Sequence, residues 1–126
     1  MKQLVFLLLL IPLKVISQEV IFCEEVNRTG VPKNPSKEFT IGSDGGLIKV
    51  LVKQKNEVGS SSIVFDVYRK ISGKEIFDNT VRMEIQPGVT WFYKEITFFK
   101  AGAYVIYVYD EKDKLLGVSE LKINLR

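Results

Sequence analysis

The sequence has no histidine and only one cysteine, Cys23, among its 126 residues. Without histidine, the chain has no Ser-His or Cys-His nucleophile, no histidine base and no imidazole ligand for zinc. A single cysteine excludes a disulfide within the chain, so we interpret Cys23 as a buried thiol, with a bond to another chain as the alternative. These absences predict a protein that is not an enzyme and has neither a metal site nor a cofactor.

Long hydrophobic runs are also lacking. The main apolar run, residues 4–13, is about half the roughly 20 residues that span a bilayer, so no transmembrane anchor is expected. This run lies between two lysines and is followed by the small residues Val15 and Ser17, which suit a cleavage site. Residues 1–17 are therefore predicted to be a secretory signal peptide.

The remaining residues, 18–126, are predicted to form one domain, because about 109 residues suffice for a single hydrophobic core. Such a protein would be exported to the periplasm, the cell surface or the extracellular space. A lipoprotein signal ending at Cys23 is the alternative. The bulky Phe22 argues against that alternative, because a small residue precedes the modified cysteine in lipoproteins.

A strong excess of charge is absent as well. Removal of residues 1–17 takes away two lysines and no acid, which leaves 16 basic residues against 15 acidic ones. Nucleic-acid binding requires a basic patch or stripe, and the basic residues of this chain are scattered singly. We therefore expect no nucleic-acid partner.

Apolar and polar residues alternate with a period of two through most of the mature chain, which is typical of strands that bury one face. In residues 62–70 the pattern directs Ile63, Phe65 and Val67 inward. In residues 46–55 one face is apolar, and Leu51 falls on the opposite face together with lysines. The other predicted strands are residues 19–26, 38–42, 75–78, 79–86, 90–99, 104–109 and 119–126.

These eight or nine short strands are separated by turn signals such as Ser72-Gly73 and Pro87-Gly88. No segment has the apolar stripe and caps of a helix. The pattern predicts an all-β fold, a two-sheet antiparallel sandwich.

Residues 102–106, Gly-Ala-Tyr-Val-Ile, resemble strand F of immunoglobulin-like domains. The resemblance implies that Tyr104 is a corner tyrosine whose hydroxyl bonds to upstream backbone, and that Ile106 replaces the second cysteine of that family. Phe65 stands where the family has a tryptophan. Both Tyr104 and Ile106 are thus expected to be structural, in an immunoglobulin-like or fibronectin-III-like sandwich of the kind that recurs in bacterial exported proteins.

Three tyrosines are candidate binding residues. Tyr107 and Tyr109 alternate with Tyr104 and so face away from the core, and Tyr68 faces outward on its own strand. If the two strands are neighbours, as in the immunoglobulin arrangement, the three rings share one sheet face. Trp91 and Tyr93 would then form a second aromatic pair on the other sheet.

Aromatic side chains on a sheet face anchor protein partners or stack on sugar rings. Tyrosines also suit an exposed pleated surface without any binding role. We expect a non-catalytic, exported module that binds a protein partner or has a structural role in the cell envelope. The alternative is a small carbohydrate-binding module that uses Tyr68, Tyr107 and Tyr109.

Overall fold

The computed structural model describes residues 19–126, so the predicted signal peptide lies outside the described residues. Within this range the chain forms ten strands and no helix, and hence no helix able to cross a membrane. The strands are β1 (Glu19–Cys23), β2 (Glu25–Val26), β3 (Pro32–Lys33), β4 (Glu38–Ile41), β5 (Gly46–Lys53), β6 (Ser62–Ile71), β7 (Lys74–Glu84), β8 (Trp91–Phe98), β9 (Gly102–Asp110) and β10 (Leu115–Leu125).

The strands form two main sheets, with the orders β1-β5-β8 and β4-β10-β9-β6-β7, and a small β2-β3 pair. All neighbours pair antiparallel except β4 and β10, which are parallel. Chain crossings from β5 to β6 and from β8 to β9 connect the sheets, which is the connectivity of an immunoglobulin-like sandwich. The fold is therefore the predicted all-β, immunoglobulin-like sandwich.

The hydrophobic core lies between the two sheets and consists of the residues that alternation directs inward. Ile63, Phe65 and Val67 are buried from one sheet, and Phe92 packs from the other. The rings of Phe65 and Phe92 meet edge to face, with centroids 6.3 Å apart. The inward-facing residues of β9 are Tyr104, Ile106 and Val108, which are all buried.

Tyr104 forms the hydrogen bond that the resemblance implies. Its hydroxyl donates to the carbonyl oxygen of Lys100, four residues upstream, at 2.7 Å. Its ring packs edge to face against Phe98, with centroids 5.0 Å apart, and the guanidinium of Arg69 lies 5.8 Å from the ring centre. Burial raises the pKa of the Tyr104 hydroxyl, which keeps it protonated as a donor.

One strand prediction is wrong. Residues 75–78 and 79–86 are not two short strands, because β7 runs without a break from Lys74 to Glu84. The register against β6 shifts where Val67 faces Asn79 and Tyr68 faces Phe77, which leaves Asp78 as the extra residue of a β-bulge. The polar Asp78-Asn79 pair thus marks a bulge in one strand rather than a turn between two.

Part of the outer face of the three-stranded sheet, around Leu51 and Trp91, is covered by residues 24–33. These residues fold back as a hairpin in which β2 pairs with β3. Gly30 lies directly against the ring of Trp91, and Cys23 and Leu51 are fully buried although both point away from the main core. Leu51 thus lies on the face opposite the main core, as predicted, and is buried there.

The corner hydrogen bond gives a first testable prediction. Tyr104→Phe removes the hydroxyl and leaves the ring in place, so we expect the free energy of unfolding to fall by about 1 kcal/mol. Urea denaturation monitored by tryptophan fluorescence measures this change. Tyr109→Phe is the matched control, since no hydrogen bond to the Tyr109 hydroxyl contributes to its pKa. Equal stability of Tyr104→Phe and the wild type would contradict a stabilising role for the hydrogen bond between Tyr104 and Lys100.

The hairpin gives a second prediction. Gly30 has φ of +82°, and a Cβ there would lie 2.8 Å from ring atoms of Trp91. We expect Gly30→Ala to destabilise the hairpin by about 2–4 kcal/mol and to expose the Cys23 thiol to modification. The rate of Cys23 labelling in native buffer measures that exposure. The control is Gly59→Ala, where the new Cβ has open space around it, and Cys23 in that variant should be labelled no faster than in the wild type. Equal labelling rates in all three proteins would show that the hairpin does not protect Cys23.

Candidate binding face

The outer face of the five-stranded sheet carries the three candidate tyrosines, as the predicted strand adjacency requires. Strand β6 pairs with β9, and the register places Asp66 opposite Tyr107 and Tyr68 opposite Val105. On the other side of β6, Tyr68 faces Phe77 of β7. We call the surface formed by Tyr68, Phe77, Tyr107 and Tyr109 the aromatic face.

The four rings of the aromatic face contact one another in a chain. Tyr68 meets Phe77 and Tyr107 edge to face, with centroid distances of 5.6 Å and 5.4 Å. Tyr107 and Tyr109 lie nearly parallel, 16° apart, with centroids separated by 6.4 Å. Phe77 is 56% exposed, and the three tyrosines are half-buried. The mutual contacts hold these rings in defined orientations before any ligand arrives.

The tyrosine hydroxyls of this face have different surroundings. Tyr107 donates a 2.6 Å hydrogen bond to Oε1 of Glu75, and this bond to a carboxylate raises the pKa of Tyr107 to about 12. Burial and the charge of Asp66 raise the pKa of Tyr109. Both phenols are thus neutral at physiological pH, and Tyr107 is anchored to Glu75.

Charged groups surround the rings and partly pair with each other. Lys70 forms an ion pair with Glu120 at 3.1 Å. Asp66 accepts a 2.8 Å hydrogen bond from the hydroxyl of Thr80. Beside Tyr109 lies a shallow depression of about 460 Å³, lined by Val64, Asp66, Thr80, Arg82, Tyr109 and Asp113. The aromatic face is therefore an apolar strip with a polar depression at one end.

Phe77 is the member of the aromatic face that the sequence reasoning missed. The signal for it was present in the Ser72-Gly73 turn, because a two-residue hairpin turn sets the register of the strands on both sides. Pairing outward from Ile71 and Lys74 brings Tyr68 opposite Phe77. Treating residues 75–78 as a separate strand concealed this register.

The second aromatic pair does not form a comparable surface. Trp91 and Tyr93 are on β8 of the other sheet, as predicted. However, Gly30 covers the ring of Trp91, and Tyr93 alone is exposed, at 38%. In residues 19–126, no group of three or more Cys, Asp or Glu side chains is arranged to hold a metal ion.

Comparison with known proteins gives no family. No protein-family model and no curated protein matches the chain. Among solved structures, the chain is similar to the CARDB domain of the PF1109 protein in complex with di-metal ions from Pyrococcus furiosus, at 13% identity and a TM-score of 0.45. That similarity covers 86% of this chain and 96% of the CARDB chain. The immunoglobulin-like fold of this protein is assigned from its own strand order.

The hydrogen bond between Tyr107 and Glu75 determines the pH at which the Tyr107 hydroxyl ionises, which gives a third prediction. The folded-state pKa of Tyr107 is raised to about 12. The stability that this hydrogen bond adds is therefore fully present below pH 10, the pKa of the unfolded chain, and is lost as the pH rises through 12. We expect Glu75→Gln to shift the Tyr107 titration back toward pH 10. The ring-carbon shifts of labelled tyrosines in NMR spectra measure this change. Glu84→Gln on the same strand should not move the titration, and unchanged curves for Glu75→Gln would refute the assignment.

Proposed function

We propose that this protein is an exported, non-catalytic β-sandwich module that binds a protein partner through its aromatic face. The observation that carries the proposal is the difference between the outer faces of the two sheets. The outer face of the three-stranded sheet is covered in part by residues 24–33, where Leu51 is fully buried and Gly30 packs against Trp91. The five-stranded sheet has no such cover among residues 19–126, and its exposed side carries the aromatic cluster.

The composition of the face suits a protein partner. Interface centres are enriched in aromatic residues, and charged residues concentrate at the rim. Here Tyr68, Phe77 and Tyr107 form the apolar strip, with the ion pair of Lys70 and Glu120 beside it. Val118 extends the strip on β10, where it pairs with Tyr107 and is 47% exposed.

The size of the face also suits a protein. Five strands about 4.8 Å apart and about eight residues long cover roughly 600 Å² in projection. A standard stable interface buries about 800 Å² on each partner. The outer face of the five-stranded sheet, which contains the aromatic face, thus provides with its bordering loops the area of a specific interface of ordinary size.

The ring orientations favour this function over carbohydrate binding. A sugar stacks on an open aromatic face, but Tyr107 is contacted by Tyr68 on one side and by Tyr109 on another. The nearly parallel rings of Tyr107 and Tyr109 are too close, at 6.4 Å, to admit a sugar ring between them. Carbohydrate binding is thus the less favoured function, and the experiment below distinguishes it from protein binding.

The non-catalytic part of the proposal is supported by residue types, because the sequence has no histidine to act as a base or to activate a nucleophile, and only one cysteine. Export is supported by the pattern of residues 1–17.

Site-specific photo-crosslinking tests the proposal. A photo-reactive phenylalanine analogue replaces Phe77 or Tyr109 on the aromatic face, or Tyr93 on the opposite sheet as the control, in the full chain expressed in its native cells. We expect one discrete crosslinked protein species from positions 77 and 109 and none from position 93. With the photo-reactive residue at position 109, Tyr107→Ala combined with Phe77→Ala should reduce that species at least tenfold, because central aromatic residues carry most of the binding energy.

Two other results would contradict the proposal. Equal crosslinking from all three positions would mean that the contact is unspecific. Binding on a glycan array that is lost in Tyr107→Ala, without any protein crosslink, would establish the carbohydrate-binding alternative instead.

A further inference from the structure

One end of the sandwich exposes apolar side chains from four separate segments. The antiparallel registers bring residues 42–47, 71–74, 99–101 and 125–126 to the same end, which we call the apolar end. Each segment contributes one large exposed apolar side chain. These are Leu47, Ile71, Phe99 and Leu125, with exposed fractions of 60%, 48%, 61% and 45%.

Ile71 and Leu125 are exposed because their strands continue past the facing sheet, whereas Leu47 is exposed on the outer face of the three-stranded sheet. Ile71 and Leu125 continue the inward-facing alternation of β6 and β10 beyond the end of the core. Phe99 follows β8 and lies over Gly45 in the β4–β5 turn, where a Cβ would come within 2.8 Å of its ring. The exposed atoms therefore lie around one end of the sandwich and do not belong to the aromatic face.

Positive charge surrounds this apolar surface. Lys74, Lys100 and Arg126 are exposed at the apolar end and take part in none of the ion pairs formed within residues 19–126. The exposed acid in these segments is Asp44, and Asp78 of β7 lines the same depression as Phe99 and Lys100. The nearby Glu75 and Lys70 are engaged with Tyr107 and Glu120 respectively.

The opposite end of the sandwich has the reverse character. It consists of residues 54–61, 85–90 and 110–115, in which Leu115, at 42%, is the large apolar residue that is exposed. Its charged residues are four acids, Glu57, Asp110, Glu111 and Asp113, and three lysines, Lys55, Lys112 and Lys114. The domain is thus polarised along its long axis, with apolar and basic groups at one end.

We propose that the apolar end docks onto a membrane surface containing anionic lipids. Apolar side chains that project beyond backbone turns can enter the acyl boundary, and lysine and arginine beside them pair with anionic headgroups. We choose a membrane over a protein partner because Lys74, Lys100 and Arg126, which border the apolar side chains, form no ion pair within residues 19–126 and so are available to anionic headgroups. Docking in this way leaves the aromatic face perpendicular to the membrane and accessible to a partner.

Vesicle sedimentation tests the proposal with the mature chain. The probes are phosphatidylcholine vesicles and vesicles in which about a third of the lipid is phosphatidylglycerol. We expect binding to the anionic vesicles, weaker binding to phosphatidylcholine alone, and a decrease as salt is raised. Each cation near the surface contributes about fivefold in affinity, so Lys74→Glu with Lys100→Glu should weaken binding at least tenfold.

Matched variants at the opposite end are the controls. Lys112→Glu with Lys114→Glu makes the same change in net charge and should leave binding within about twofold, because those lysines face away from the membrane. Phe99→Ser should weaken binding several-fold, whereas Leu115→Ser should not. Far-UV circular dichroism checks that every variant is folded.

Three results would overturn the proposal. The first is failure of the wild type to sediment with either vesicle type. The second is equal weakening of binding by the two double-lysine variants, which would indicate a net-charge effect alone. The third is a dimer that sedimentation velocity detects without lipid and that Phe99→Ser abolishes, which would make the apolar end a contact between two copies of the chain. The aromatic-face crosslinks do not depend on any of these results.

Discussion

The structure depends on the packing of alternating apolar side chains between two sheets that no covalent cross-link joins. Phe65 and Phe92 meet across the sandwich, and Ile106 is fully buried on the strand next to Phe65. In a chain with one cysteine, the burial of such side chains must supply the cohesion that a disulfide supplies in other immunoglobulin-like domains. Full burial of one large apolar side chain contributes about 1.5–3 kcal/mol. The stability of the sandwich therefore depends on many such side chains together.

The same packing determines which residues reach the surface. Because Tyr104, Ile106 and Val108 are buried in the core, the period-two geometry of β9 directs Tyr107 and Tyr109 to the opposite face. No separate interaction is needed to place these rings there. The hairpin of residues 24–33 then covers part of the other sheet, so the outer faces of the two sheets differ in how much of their surface is exposed.

Local alternation predicted the two-sheet sandwich and the inward face of β6, and together with the resemblance to immunoglobulin-like domains it predicted the shared face of Tyr68, Tyr107 and Tyr109. It could not predict features that depend on distant contacts or on backbone irregularity. The cover over Leu51 comes from a polar segment whose role is set by the fit of Gly30 against Trp91. The bulge at Asp78 interrupts the alternation of β7, so Phe77 was not assigned to the face it shares with Tyr68. The parallel pairing of β4 with β10 likewise joins segments more than eighty residues apart.

That parallel pair has a mechanical consequence. Glu19 pairs with Lys53 at one end of the sandwich, and Leu125 pairs with Ile41 at the other, so the described chain begins and finishes at opposite ends. A force that pulls these points apart acts along β1 and β10, and it loads their hydrogen bonds with neighbouring strands in shear. Hydrogen bonds loaded in shear must break together, whereas a force perpendicular to the strands breaks them one at a time. The strand order therefore makes the domain resistant to tension along its long axis.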